Sequence, residues 1–281
     1  MVYYIQILKF QEVILLVLIT VLTVLAAIYI FLVAPRMFGK PDHSALMGVH
    51  YAHRGLFDNE SDAPENSLNA MRKAVEAGFG IEFDIQLTKD DVPVVFHDAS
   101  LKRMCGADGK IWDYTLKELK EMKLKNSNET IPTLEQVLRV VDGKVPIIVE
   151  YKMDRVDTKV CELGNVILEK YDGVYCIESF HPFAVKWYRE HRPDVIRGQL
   201  SQDFSKKDYK GIQYWAMTHL LLNFLTRPDF IAYNHKDAGK FSRRLCGELG
   251  ALSVAWTIKN RKQYEEAKPH FDLVIFDSFI L

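Results

Sequence analysis

"YAHRGLFDNESDAPENSLNAMRKAVEAGFGIEFDIQL", Tyr51 to Leu87, is the stretch on which the reading of the fold turns. A short apolar run, Val49–His53, finishes at His53 and Arg54, and a second, Gly80–Leu87, carries Glu82 and Asp84 one residue apart. Between them, Asn66 or Ser67 is a cap candidate, Leu68, Met71, Ala74 and Val75 share one helical face, and Gly78 stops the pattern. Strand, helix and strand in that order imply a crossover between parallel strands. Side chains alternate along a strand, so Glu82 and Asp84 project to one side and Ile81, Phe83 and Ile85 to the other. A histidine, an arginine and an acidic pair are what handling a phosphate with a divalent metal requires.

The same alternation of short runs and helical patterns continues to the end of the chain. Strands are expected near Val92–His97, Val145–Lys152, Val174–Ser179, Val195–Leu200, Phe230–Asn234, Leu252–Thr257 and Leu273–Asp277. Helices are expected over Thr133–Val141, Thr158–Tyr171, Pro182–His191, Lys240–Leu249 and Arg261–Lys268. Counting Gly80–Leu87 and Val92–His97 separately gives nine strands, one of them an added hairpin arm. About 230 residues with eight such repeats fit one α/β domain, a TIM-type (β/α)₈ barrel. From Asp203 to Arg227 the pattern loosens into a strongly apolar stretch. It reads as an outer helix covering the sheet or, with Tyr214, Trp215 and Phe224 among leucines, as a face dipping into a bilayer.

Ahead of the barrel, Val13–Ala34 is 22 residues without a charge, and about 20 such residues span a bilayer. A cleaved signal would have an apolar centre of about 7–15 residues and a small-residue cleavage site, which "APRMFGK" does not offer. The expected organisation is a membrane anchor over residues 1–36, a linker over 37–48 and the barrel over 49–281. Lys9 on one side and Arg36 with Lys40 on the other nearly balance the positive-inside rule. The basic pair and four unpaired cysteines (Cys105, Cys161, Cys176, Cys246), none in a CxxC, favour a barrel facing the cytoplasm. A net charge of −1 argues against a nucleic-acid partner.

Catalytic groups of such barrels sit at the C-terminal ends of the strands. His53, Glu82, Asp84, His97, Glu150 and Lys152 all fall at the ends of their runs. Three inward carboxylates repel one another in a low dielectric and need a cation. Oxygen ligands without cysteine favour Mg²⁺ or Ca²⁺ over zinc.

These residues resemble the glycerophosphodiester phosphodiesterase family. The resemblance runs in order through "HRG" (His53–Gly55), "APENS" (Ala63–Ser67), "EFDIQLTKDDVPVVFHD" (Glu82–Asp98), "VEYK" (Val149–Lys152), "ESF" (Glu178–Phe180), "WTI" (Trp256–Ile258) and "FDLVIFD" (Phe271–Asp277). It covers nearly all of the chain after residue 48 and implies a TIM-type barrel. It further implies that Glu82, Asp84 and Glu150 hold the metal and that His53 and His97 form the general acid/base pair. Arg54 becomes a phosphate contact and Lys152 a second cationic clamp, with Phe180 and Trp256 walling the alcohol subsite. Two departures stand out: the PENT-like element ends in Ser67, and the last strand runs on as "FDSFIL" without the usual proline.

The expected activity is hydrolysis of a glycerophosphodiester to glycerol phosphate and an alcohol. An anchor would bring lysophospholipids and membrane lipid within reach. A phospholipase C- or D-like phosphodiesterase on the same barrel is the rival, and an inactive membrane-tethered binding module a further one. The complete histidine and carboxylate set argues against the last.

Overall fold

Nine strands form among the described residues: β1 (Tyr51–His53), β2 (Gly80–Leu87), β3 (Pro93–Val95), β4 (Ile147–Tyr151), β5 (Tyr175–Ser179), β6 (Arg197–Ser201), β7 (Phe230–Asn234), β8 (Leu252–Ile258) and β9 (Leu273–Phe276). The computed structural model describes residues 2–153, 157–207, 209–277 and 279–280. Ser278 and Leu281 of the "FDSFIL" end, Asp208 of the loosened stretch and the terminal Met1 lie outside the described residues. Eight strands run parallel in the order β1-β9-β8-β7-β6-β5-β4-β2, and pairing of β1 with β2 closes them into a TIM barrel. The ninth, β3, is the hairpin arm. It pairs antiparallel with Ile85–Leu87, where β2 outgrows the ring.

The helices are α1 (Val2–Val33), α2 (Leu68–Glu76), α3 (Lys102–Cys105), α4 (Leu116–Lys120), α5 (Leu134–Val141), α6 (Lys159–Leu168), α7 (Pro182–His191), α8 (Ile212–Thr218), α9 (Asn223–Thr226), α10 (Phe241–Glu248) and α11 (Arg261–Ala267). Thr133 caps α5 by accepting from the amide of Gln136, whose side chain returns a bond to the Thr133 amide. Between β2 and α5 the chain makes an excursion that the periodicity did not announce. Residues 98–132 carry α3 and α4 and close their own small core, with Leu101, Met104, Ile111 and Leu119 against Val94 and Phe96.

Alternation sets the layers as expected. Ile81, Phe83 and Ile85 of β2 meet Met71, Val137 and Val141 in the layer between sheet and helices. The opposite faces of the strands fill the lumen, where Tyr51, Ile148, Cys176, Phe230 and Ile275 form a lower plug. Residues 37–48, expected as a linker, carry a one-turn helix at Ser44–Leu46. Leu46 is buried in that plug, and its carbonyl accepts the Tyr51 hydroxyl at 2.8 Å.

The 203–227 stretch is packed in one part and exposed in another. Leu220, Asn223 and Thr226 are buried, whereas Ile212 and Trp215 on α8 are exposed. Helix α1 contains Lys9–Val33, long and apolar enough to cross a membrane.

The turn after β1 is fixed by main-chain bonds on both sides. The Arg54 amide donates to the Glu82 carbonyl at 2.7 Å, and the Arg54 carbonyl accepts from the Asn66 amide at 2.9 Å. Ser67, not Asn66, is the N-cap of α2, accepting from the Ala70 amide. Gly55 lets the turn close: its φ is +84°, and a Cβ there would lie 2.8 Å from the Ala70 carbonyl carbon. Gly55→Ala is therefore expected to destabilise the barrel by roughly 1–3 kcal/mol, and Ser67→Ala by about 1 kcal/mol. Urea unfolding checks both, and a Gly55→Ala variant as stable as the parent would contradict this account of the turn.

Candidate active site

Parallel register brings the acidic residues to one level of the lumen. Asp84 on β2 is level with Glu150 on β4, and Glu150 with Glu178 on β5. His53 on β1 is level with Glu82. One oxygen from each of Glu82, Asp84 and Glu150 lies within 4.8 Å of the others, and all three side chains are buried. The Lys152 ammonium sits against this cluster, 2.9 Å from Asp84 Oδ1 and 2.7 Å from Glu150 Oε1. Asn66 Nδ2 donates to Asp84 Oδ2 at 3.0 Å, and Arg54 Nε lies 3.6 Å from the same oxygen.

The charges do not balance. Burial, then the neighbouring Asp84, Glu150 and Glu178 carboxylates, push the Glu82 carboxyl well above its ordinary range. Burial pushes Glu150 up as well, although Lys152 opposes it. Burial also resists ionisation of Asp84, but Lys152 and then His97 and Arg54 more than offset that and hold it low. Glu178 was read from sequence only as part of "ESF". It is buried in the same layer and pushed well above the glutamate range by burial and by Glu150. An all-oxygen set with such an excess of negative charge is what a hard divalent cation fits.

Each histidine has its own carboxylate. His53 Nδ1 is 3.1 Å from Asp277 Oδ2, and its Nε2 is 3.9 Å from Glu82 Oε2. Burial, then the Arg54 charge, push the His53 imidazole down to about 4, so it is neutral at pH 7. His97 Nδ1 is 2.7 Å from Asp98 Oδ1. Unlike His53, His97 does not end a barrel strand; it follows β3, and the arm brings it back over the mouth. Gln86, buried on β2, fixes that bend by donating to the carbonyls of Phe96, His97 and Asp98 at 2.8, 3.1 and 2.9 Å.

A further network was not legible in the sequence. Glu65 accepts from Arg54 Nη1 at 2.6 Å and from both terminal nitrogens of Arg103 at 2.7 Å. Burial raises the cost of its charge, yet the Arg103 bonds and the Arg54 charge hold its carboxyl down at about 2. Arg103 also donates to both oxygens of Asp98, at 2.6 and 2.9 Å. One fork thus ties the arm that carries His97 to the loop that aims Arg54.

His53, Arg54, Glu82, His97, Glu150, Lys152, Phe180 and Trp256 line one cavity of about 390 Å³. Asp84 lies immediately beneath it, completely buried. Phe180 and Trp256 meet edge to face at 5.4 Å on the side away from His97's arm. Beyond them Phe204 lies 6.2 Å from Phe180 and 5.6 Å from both Tyr209 and Tyr214, an aromatic path out of the mouth toward α8. All nine residues read from the sequence as site candidates therefore gather at one end of the barrel.

Comparison with known proteins agrees with this architecture. Glycerophosphodiester phosphodiesterase 1 of Bos taurus is 36% identical over 256 residues, covering 77% of this chain and 74% of that protein. The glycerophosphodiester phosphodiesterase of Caldanaerobacter subterraneus is 39% identical over 162 residues, covering 54% and 65%. Among solved structures, the Thermotoga maritima glycerophosphodiester phosphodiesterase superposes with a TM-score of 0.63 at 26% identity, covering 82% of this chain and 94% of that one. An Oleispira antarctica phosphodiesterase solved with the product sn-glycerol-3-phosphate gives 0.68 at 23% identity, covering 83% and 93%, and so shares the fold. Residues 53–277 match the profile described as the Glycerophosphoryl diester phosphodiesterase family, and the chain belongs to this family of phosphoric diester hydrolases.

Proposed function

We propose that this chain hydrolyses glycerophosphodiesters to sn-glycerol 3-phosphate and an alcohol, as part of lipid metabolism. Glu82, Asp84 and Glu150 would hold Mg²⁺ or Ca²⁺, and His53 and His97 would move the protons. The observation that carries this reading is the trio of buried carboxylate oxygens within 4.8 Å of one another, flanked by two histidines that each bond their own carboxylate.

When bound, the cation would neutralise charge on the phosphoryl oxygens. Arg54 and Lys152 extend that positive field across the cavity, and Glu65 holds the Arg54 guanidinium in its aim. Asp277 accepts a hydrogen bond from the Nδ1–H of His53, which leaves the Nε2 lone pair to accept a proton from the attacking hydroxyl. Asp98 orients His97, which donates to the departing alkoxide. Phe180 and Trp256 bound the subsite for the alcohol or glycerol moiety and keep water from that side. Helix α1, with its uncharged run at residues 13–34, acts in this reading as a single membrane anchor. Arg36 and Lys40 after it favour a cytoplasmic barrel.

A lysophospholipid substrate is the second reading. The aromatic path from Phe180 through Phe204 to Tyr209 and Tyr214, ending beside the exposed Ile212 and Trp215, supports it.

The test is turnover of glycerophosphocholine and lysophosphatidylcholine in parallel, with products followed by mass. Release of sn-glycerol 3-phosphate and choline from the first is expected. Faster turnover of the lysolipid would select the second reading. His53→Ala and His97→Ala are each expected to lower kcat by about 10²-fold or more with the fold retained by circular dichroism. Near-parental turnover in either variant removes that histidine from the mechanism.

A second prediction follows from the raised Glu82 carboxyl. A group held protonated above its ordinary range must lose its proton to bind a cation, so cation affinity rises with pH. Calorimetric titration of Mg²⁺ or Ca²⁺ over a range of pH should show binding that tightens as pH rises, with proton release seen as a heat that scales with the buffer's ionisation enthalpy. Asp84→Asn should weaken that binding at least tenfold. Binding without proton release, or undiminished in Asp84→Asn, would remove the trio as the site.

A further inference from the structure

The end of α1 does not hang free. Its last-turn carbonyls have no helical partner, and barrel side chains supply them. Asn223 Nδ2 and Cys246 Sγ donate to the Val33 carbonyl at 2.8 and 3.3 Å. Arg227 Nη1 donates to the carbonyls of Phe31 and Ala34 at 3.0 and 2.8 Å, with its guanidinium 4.8 Å over the Phe31 ring.

Beside this joint is a cavity of about 750 Å³, far from the catalytic mouth and unused by the chemistry above. One wall is a single helical face, Ala27, Ile30, Phe31 and Ala34 at the spacing i, i+3, i+4, i+7. Four arginines, Arg36, Arg189, Arg197 and Arg227, also line it. Met37 and Phe38, both exposed, form an apolar rim where the helix ends.

The arginines are held by main-chain oxygens rather than by counter-charges. Arg36 donates to the Pro193 carbonyl at 2.7 Å and Arg189 to the Phe224 and Leu225 carbonyls, both at 2.8 Å. Arg197 Nε donates to the Thr226 carbonyl at 3.0 Å. Among the described residues Asp229 is the one carboxylate paired with them, 3.7 Å from Arg36 and 3.8 Å from Arg197. Arg197 is 3% exposed, and its Nη1 has no hydrogen-bond partner. Burial, then the Arg36 and Arg189 charges, push its guanidinium down to about 10 despite Asp229. Four guanidiniums with one paired carboxylate leave an excess of positive charge beside an apolar face, which suits an anion that carries its own apolar part.

We propose that this cavity binds an anionic phospholipid. Its phosphate would lie against the arginines and its acyl chains along the Ala27, Ile30 and Phe31 face. Guanidiniums suit a phosphate because they donate paired bonds to it, and the apolar wall is continuous with the run of α1 that is long enough to span a bilayer. The bound lipid would lock the barrel to the end of its anchor. The inference rests on the reading of α1 as a membrane span.

The test uses the full chain purified in detergent and native mass spectrometry. The probes are dioleoyl-phosphatidylglycerol, dioleoyl-phosphatidylcholine and inorganic phosphate. The anionic lipid should be retained at least tenfold more tightly than the zwitterionic one and should resist displacement by millimolar phosphate. Arg189→Gln with Arg227→Gln should abolish that preference. Ala27→Trp keeps every charge but fills the apolar side, and should weaken the anionic lipid to a similar degree. Thermal unfolding checks that the variants fold; should the double variant fail to, Arg189→Gln alone and Ala27→Trp carry the test.

Equal retention of both lipids, displacement by phosphate alone, or a preference surviving in the variants would overturn the proposal. Because binding rather than hydrolysis is read, that failure would leave the phosphodiesterase reading untouched. Extraction of the full chain from membranes by alkaline carbonate would overturn the anchor reading, and this site with it.

Discussion

Three carboxylates held within 4.8 Å of one another and out of water are the constraint around which the catalytic end is arranged. At that separation two like charges repel by about 3.5 kcal/mol even at an effective dielectric of about 20. The chain answers with Lys152 bridging Asp84 and Glu150 and with Arg54 beside Asp84, yet Glu82 and Glu178 are still pushed toward their protonated forms. A site that remains too negative after its own cations are counted is poised for one more. In the proposed mechanism that excess would supply affinity for a doubly charged ion, and the ion with Arg54 and Lys152 would make the cavity receptive to a phosphodiester anion.

The barrel supplies what makes such a cluster possible. Parallel register sets Asp84, Glu150 and Glu178 level on three adjacent strands, and the hydrophobic layer behind β2 holds Ile81, Phe83 and Ile85 so that a slip of one residue would bury the wrong face. The histidines reach the site by different routes. His53 ends a barrel strand, while His97 arrives on an arm held down by Gln86 and by the Arg103 fork through Asp98. The two histidines thus differ in support, and burial pushes His53 strongly toward its neutral form.

Much of this was legible in the sequence because its signals are local. Period-two alternation in "GIEFDIQL" and "VPIIVEYK" separates lumen from helix layer within eight residues, and Thr133 with Gln136 marks a helix start on its own. What could not be read is held by contacts between distant positions. Glu65 and Arg103 are joined across 38 residues, through an excursion whose short helices, α3 and α4, are too brief to show a period. Gln86 sits where alternation predicts an inward side chain, but nothing nearby says that it would hold three carbonyls. The apolar 203–227 stretch looked like one element. It divides into a packed part at Leu220–Thr226 and an exposed turn at Ile212 and Trp215, a division that depends on which barrel helices and which end of α1 lie opposite.

The central claim is that the carboxylate trio makes this chain a metal-dependent phosphodiesterase, and its most direct measurement is turnover of glycerophosphocholine by the full chain in detergent after exhaustive chelation. The account predicts that release of sn-glycerol 3-phosphate stops when divalent cations are removed and returns when Mg²⁺ or Ca²⁺ is added to the parent protein but not to a Glu82→Gln, Asp84→Asn variant. Undiminished release in the presence of chelator would contradict it.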